Sequence, residues 1–233
     1  MNLFYLARRN AFVMTLFAPV VAQAARPMAA DDASILDAGH CQLESWSQRT
    51  SAQTEFWAMP ACRVGSWELG AGTGRLQERE GAQARTRSHM LQAKTLFRPL
   101  STNSWGAGLV LAEQFHSGDH GQGDLSLNLP ISFSFQGDAV LLHANAGWLR
   151  ERTAHRGGAT WALGAEFAVT PKTALTLESF GSRFGHSYVQ AGVRHTLIQD
   201  RLDIDASYGE RLGWRGKERI FAIGLTLAGP ALH

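Results

Sequence analysis

The chain has 233 residues, of which 45% are hydrophobic and 18% are charged. The chain has 22 basic and 20 acidic residues. Cleavage of an N-terminal leader would remove Arg8 and Arg9 and no acidic residue, which leaves 20 of each in the mature chain. A neutral chain has no excess of basic residues with which to bind a nucleic acid. After the leader there is no run of 18 apolar residues, so the sequence predicts no membrane-spanning helix.

The first 24 residues have the features of a secretory signal peptide. Arg8-Arg9 forms a basic region, residues 11–21 are apolar, and Ala22-Gln23-Ala24 fits the small-residue cleavage pattern. Cleavage after Ala30 and twin-arginine export are alternatives that the sequence leaves open. We expect a cleaved signal peptide at residues 1–24 and export in a Gram-negative bacterium.

Segments with alternating side chains fill the chain from Cys41 to Leu227. In the clearest, residues 125–136, large apolar residues occupy every odd position, and polar residues or proline occupy the even ones. A period of two indicates β-strands, because successive side chains of a strand point to opposite faces. Twelve candidate strands follow: 41–48, 54–64, 66–76, 89–98, 105–115, 125–136, 139–150, 160–170, 173–181, 187–199, 201–210 and 218–227.

The connections between these strands alternate between tight turns, such as Gly65-Ser66 and Gln199-Asp200, and longer loops, such as 77–88 and 116–124. This alternation is typical of outer-membrane barrels, which have short periplasmic turns and longer external loops. An even number of strands also closes the sheet and removes its edges.

The predicted fold is all-β, a closed antiparallel transmembrane β-barrel of about 12 strands in an up-and-down meander. The barrel would cover residues 41–228 and insert in the outer membrane with the help of the barrel assembly machinery. A periplasmic N-terminal segment, 25–40, would precede it, and a tail, 229–233, would follow. A soluble periplasmic β protein is the architectural alternative.

Cys41 and Cys62 are the two cysteines of an exported chain, which favours a disulfide. If the first two strands form a hairpin centred near Ser51-Ala52, these cysteines lie opposite each other. The bond would close a loop of about twenty residues and contribute on the order of 3 kcal/mol.

Polar side chains on the inward positions would line the lumen as a structural network or as a pore constriction. The candidates are Glu68, Lys94, Asn128, His143, Asn145, Glu166, Glu178, Gln190, Arg194, Asp203 and Asp205. We expect a porin-like passive channel for a small solute, without a cofactor. Loop arginines suit the phosphates of lipopolysaccharide: Arg85, Arg87, Arg152, Arg156 and Arg215. A non-transporting structural barrel that binds lipopolysaccharide through them is the first alternative function.

A lipid-modifying enzyme is the second alternative. His143 and Asn145 share a face, and Ser132 and Ser134 point inward on the preceding strand, so a serine–histidine pair is not excluded. Because the neighbouring sequence shows no clear nucleophile, we expect no enzyme. We also expect no metal site, since the histidines and aspartates of residues 116–124 match no ligand pattern.

Four short motifs resemble the outer-membrane family associated with the meta-pathway of phenol degradation. They are Asp31-Asp32-Ala33, residues 41–46, Trp67-Glu68-Leu69 and Gln92-Ala93-Lys94. The resemblance implies a porin-like barrel that passes hydrophobic or aromatic compounds. The cysteine pair and a C-terminus without a terminal aromatic residue depart from that family's pattern, and no catalytic residues carry over.

Overall fold

A computed structural model describes residues 28–79, 85–116, 123–213 and 218–231. The predicted signal peptide, Asp119, His120, Arg215 and the last two residues lie outside this part of the chain. The strands are β1 (His40–Arg49), β2 (Gln53–Val64), β3 (Trp67–Glu78), β4 (Arg85–Arg98), β5 (Trp105–His116), β6 (Asp124–Phe135), β7 (Val140–Glu151), β8 (Arg156–Thr170), β9 (Thr173–Ser182), β10 (Tyr188–Ile198), β11 (Leu202–Arg211) and β12 (Arg219–Ala231).

Each strand pairs antiparallel with its sequence neighbours, and β1 pairs with β12 to close the barrel. The predicted closed meander of twelve strands is therefore confirmed. We call the end that carries connections 65–66, 136–139, 171–172 and 199–201 the turn end, and the opposite end the loop end. Among the described residues there is no helix long and apolar enough to cross a membrane.

The outer surface of the barrel is apolar because the alternation of side chains keeps large hydrophobic residues on one face of each strand. On β6, Leu129, Ile131 and Phe133 are exposed by 39–43%, whereas Pro130 and Ser132 between them are fully buried. An apolar outer surface and a polar lumen suit a hydrocarbon environment, in which every backbone N–H and C=O group must be paired within the sheet.

The first hairpin has the register that the sequence predicts. Cys41 pairs with Cys62 across β1 and β2, and their sulfurs form a disulfide. The sequence predicts a longer loop over residues 49–53, whereas the connection 50–52 is tight, with Thr50 Oγ1 accepting the backbone N–H groups of Ala52 and Gln53 at 3.2 Å each.

Strand β12 continues beyond the predicted strand end at Leu227. Ala231 pairs with His40, so residues 229–231 complete the seam with β1 and do not form a free tail. The apolar alternation ends earlier than the strand, since the pairing of the backbone does not depend on which side chains it carries.

Strand β3 makes room for large side chains that β2 sends into the lumen. A Cβ atom at Gly72 would lie 2.4 Å from Met59 Sδ, and one at Gly74 would lie 2.5 Å from the Trp57 ring. Glycine at these inward positions lets the Trp57 ring stack on Trp46, with the ring centroids 5.9 Å apart. The glycine-rich run of β3 therefore serves packing inside the barrel.

Candidate functional site: the barrel lumen

The chain's own N-terminal segment lies inside the lumen. We call residues 28–36 the plug segment. Met28, Ala30, Ala33 and Leu36 are 7%, 4%, 0% and 2% exposed. The expectation put residues 25–40 outside the barrel, in the periplasm, whereas the plug segment crosses the interior. At its start Met28 belongs to a buried cluster against which Phe180 packs, and near the turn end the carbonyl oxygen of Ala33 accepts the N–H group of Leu100.

Lumen side chains accept the backbone N–H groups of the plug segment. Glu178 Oε2 accepts those of residues 29 and 30 at 2.7 and 3.0 Å, and Asn145 Oδ1 accepts that of residue 31 at 2.7 Å. Ser132 Oγ and Glu68 Oε2 accept those of residues 33 and 36, each at 2.8 Å. These acceptors come from β9, β7, β6 and β3, so the plug segment links distant sides of the barrel wall.

The two aspartates of the plug segment bind lumen side chains directly. Lys94 Nζ lies 2.6 Å from Asp32 Oδ1, and both side chains are about one-tenth exposed. Asn128 Nδ2 donates to Asp31 Oδ2 at 2.7 Å. A buried charge needs a partner of opposite sign, so Asp32 supplies the compensation that Lys94 requires inside the barrel.

The barrel wall approaches the plug segment closely at one glycine. A Cβ atom at Gly164 would lie 2.8 Å from Met28 Cε and 3.0 Å from Ala30 Cβ. Any larger residue at this position of β8 would collide with the plug segment, so the fit depends on small side chains on both sides.

A second set of polar contacts runs from the plug segment across the wall. Ser132 Oγ is 2.8 Å from His143 Nδ1, and His143 Nε2 is 3.3 Å from Glu166 Oε1. Arg194 Nη1 donates to Glu166 Oε2 at 2.7 Å. Because Ser132 accepts the N–H of Ala33, its own hydroxyl can donate to His143. The structure thus forms the serine–histidine pair that the sequence leaves open.

The other predicted lumen residues also lie on inward positions. Gln190 Nε2 donates to Glu178 Oε1, and Thr196 Oγ1 donates to Asp203 Oδ1 at 2.6 Å. Asp205 is buried on the same face of β11 as Asp203. Ser134, the other candidate partner of His143, instead donates to Asp138 in the adjoining turn.

A small cavity remains between the plug segment and strands β1 to β4. Its volume is about 60 Å³, and Trp46, Met59, Met90 and Gln92 contribute to its lining. A space of this size accommodates a few water molecules and not an organic solute. Passage along this side of the lumen therefore requires the plug segment to move.

The arginines predicted to contact lipopolysaccharide lie at the loop end where the structure describes them: Arg85, Arg87, Arg152 and Arg156. Arg156 forms an ion pair with Glu151, and its guanidinium carbon lies 5.6 Å from the centre of the Phe184 ring. Of the loop residues considered for a metal, His116 Nδ1 contacts Ser88 Oγ at 2.9 Å, and His116 Nε2 lies 3.8 Å from Asp124.

Sequence reasoning names the wall of the site but misses its occupant. Asp31 and Asp32 belong to a short acidic motif that precedes the predicted barrel, although each binds a lumen residue here. One signal was available: Lys94 is a cation on an inward face of β4 whose other residues are uncharged, and a buried cation requires a carboxylate partner.

The model of one protein family matches residues 12–228, and its description is "Uncharacterised conserved protein UCP029691". The chain belongs to this family. A search of the curated proteins found no match.

Solved structures of outer-membrane channels share the fold. The KdgM porin superposes with a TM-score of 0.62 at 7% identity, over 81% of this chain and 99% of that one. The COG4313 outer membrane channel from Pseudomonas putida F1 gives 0.60 at 11% identity, over 85% and 98%. The CymD monoaromatic hydrocarbon channel gives 0.51 at 9% identity, over 84% and 90%. At such identities the similarity establishes the barrel fold and not the solute.

Proposed function

We propose that this protein is an outer-membrane channel for a small polar solute and that the plug segment closes its lumen in the resting state. The observation that carries the proposal is the occupancy of a charged and amide-lined lumen by the chain's own residues 28–36. The barrel fold shared with solved porins and channels supports the location and the transport role.

The contacts of the plug segment are of a kind that can be exchanged for water. Most of them are hydrogen bonds to side chains or an ion pair, and such bonds have small net free energies because water replaces them. Only four of its side chains are both apolar and buried, Met28, Ala30, Ala33 and Leu36, and the first two cluster with Ala162 and Phe180. The segment is therefore a removable element, unlike the paired strands of the wall.

The lining favours a polar solute over the hydrophobic or aromatic compounds that the phenol-pathway resemblance implies. Glu68, Lys94, Glu166, Glu178 and Arg194 are all buried at the lumen wall. With the plug segment withdrawn, these groups would face the solute. An apolar molecule would displace their water without replacing its hydrogen bonds, which costs free energy.

Conductance of the purified protein in planar bilayers tests the proposal. A variant with Ala30→Cys, Gly164→Cys and Met28→Ala would hold the plug segment by a disulfide. The two Cβ positions are 3.0 Å apart and need to separate by only about 0.5 Å to reach disulfide geometry, and Met28→Ala removes the methyl group that a Cβ at position 164 would meet. We expect this variant to stay closed when oxidised and to open in steps when reduced. Wild type under the same reductant controls for cleavage of Cys41–Cys62.

A second variant removes the plug contacts without changing the chain length. In it, Ala29, Ala30, Asp31, Ala33 and Leu36 are replaced by proline, which has no N–H group to donate, and Asp32 is replaced by serine. A boiling-dependent shift on a denaturing gel shows that the barrel has formed. Persistent conductance of this variant is the expected result. If the folded variant passes neither ions nor small solutes, the channel proposal is wrong and the lipopolysaccharide-binding structural barrel becomes the better explanation.

The contacts of Ser132 favour hydrolysis of an acyl ester as the second candidate function. In that reaction Ser132 Oγ would bond to the ester carbonyl carbon while its proton passes to His143, the alcohol would leave with that proton, and water would release the acid. In the structure Ser132 Oγ instead accepts the N–H of Ala33, so the pair serves to hold the plug segment.

A further inference from the structure

The lumen recognises an extended peptide by its backbone. Five consecutive or near-consecutive N–H groups of the plug segment are accepted by four side chains of the wall. A backbone N–H is present in every residue except proline, so these acceptors do not require a particular side chain. They do require a chain that runs in one direction, because the acceptors are fixed on different strands.

The same site also selects side chains at two positions. Lys94 binds the carboxylate of Asp32 at 2.6 Å in a buried environment. Ala33, fully buried beside Ser132, leaves no space for a larger residue. A ligand that fits the emptied lumen therefore combines backbone N–H donors, a carboxylate opposite Lys94 and a small residue next to that carboxylate.

Carbonyl groups of the plug segment are also bound. Arg63 Nη1 donates to the carbonyl oxygen of Leu36 at 2.9 Å, and the backbone N–H of Leu100 donates to the carbonyl oxygen of Ala33 at 3.4 Å. Donors and acceptors of the wall thus meet both polar groups of a peptide bond. A simple carboxylate has no donor for the N–H acceptors, and a sugar, whose hydroxyl groups can donate to them, lacks the regular spacing of N–H and C=O groups along an extended peptide.

We propose that the emptied lumen is a binding site for short acidic peptides and that the plug segment occupies it as a built-in competitor. The proposal rests on the proposed function in one respect, that the plug segment can leave the lumen. The solute class is then small molecules with a peptide bond and a carboxylate, and any such solute competes with the plug segment for Glu178, Asn145, Ser132 and Lys94.

The test uses the variant in which proline replaces residues 29, 30, 31, 33 and 36 and serine replaces Asp32, together with a synthetic peptide of the sequence Met-Ala-Ala-Asp-Asp-Ala-Ser-Ile-Leu. Its binding is measured in detergent by the fluorescence anisotropy of a dye on its N-terminus, and separately as block of the conductance. One control peptide has the same residues in reverse order, and the other carries Asp32→Asn.

We expect the native peptide to bind and block, and the reversed peptide to do neither at the same concentration. The Asp32→Asn peptide should bind about a hundredfold more weakly, because it leaves Lys94 without its carboxylate. Introducing Lys94→Met into the barrel should remove most of this difference between the two peptides, which a nonspecific effect of charge would not do.

The outcomes separate this inference from the channel proposal. If the variant conducts but the native and reversed peptides bind equally, peptide recognition is wrong and the channel proposal stands. If the folded variant does not conduct but binds the native peptide selectively, the recognition site stands without transport. Lack of anisotropy change with the native peptide overturns the inference in either case.

Discussion

Replacing Asp32 by asparagine is expected to shift the lumen toward its open state. In the closed state Asp32 is the carboxylate that contacts Lys94, and the two side chains are 11% and 9% exposed. In the open state the lysine is solvated by water in the lumen. The substitution therefore penalises only the closed state, in which a buried ammonium group loses its partner.

The magnitude follows from the burial of the pair. Removing one partner of a buried ion pair costs about 3–5 kcal/mol. Glu68 lines the same cavity as Lys94 and keeps a carboxyl group nearby, so the lower value of about 3 kcal/mol applies. Since about 1.4 kcal/mol corresponds to a tenfold change, the ratio of closed to open barrels should fall about a hundredfold.

Open probability in planar bilayers measures this shift, and Asp31→Asn is the matched control. Asp31 is only half-buried and accepts from the neutral Asn128, a bond that an amide oxygen can replace. The control should change the ratio by about fivefold or less. Combining Asp32→Asn with Lys94→Met should recover part of the closure, because the unpaired ammonium group is removed while Glu68 keeps the N–H group of Leu36 as a donor. Equal effects of the two aspartate substitutions would refute this account of the plug segment.

Three further predictions concern the wall. Replacing Cys41 and Cys62 by serine should lower the free energy of unfolding by about 3 kcal/mol, because the bond spans 21 residues, and a lower midpoint in a urea titration would show it; an unchanged midpoint would contradict it. Gly72→Ala should destabilise the barrel by about 1–3 kcal/mol through its clashes with Met59 Sδ and the carbonyl oxygen of Ala58, and in a Met59→Ala background the same substitution should cost less in the same titration. A fluorophosphonate probe should leave Ser132 unmodified in wild type, and labelling that Ser132→Ala abolishes would instead establish a hydrolase.

The strands and their facing were predictable because the underlying signal is local. On β8, Trp161 and Leu163 alternate with Ala162 and Gly164, and this alternation fixes the outward and inward faces whichever strand lies alongside. The pairing of Cys41 with Cys62 followed in the same way, since a short hairpin sets its own register.

Strand ends were less predictable because they depend on partners. Residues 85–88 of β4 extend the predicted strand, and Thr86 and Ser88 pair with Leu76 and Gly74 of β3 in spite of an irregular side-chain pattern. Likewise, the last residues of β12 are strand because β1 offers free backbone groups to pair with.

The sequence by itself determined a closed β-barrel with a polar interior, because apolar and polar side chains alternate with a period of two over an even number of strand segments. Only the tertiary structure decided that residues 28–36 fill that interior. This segment has no periodicity of its own, and its hydrogen bonds join residues as far apart as Ala29 and Glu178, 149 positions along the chain. Such contacts form only after the barrel has brought its acceptors together. The entropy cost of closing so long a loop is offset by the many contacts of the whole fold and not by the local sequence.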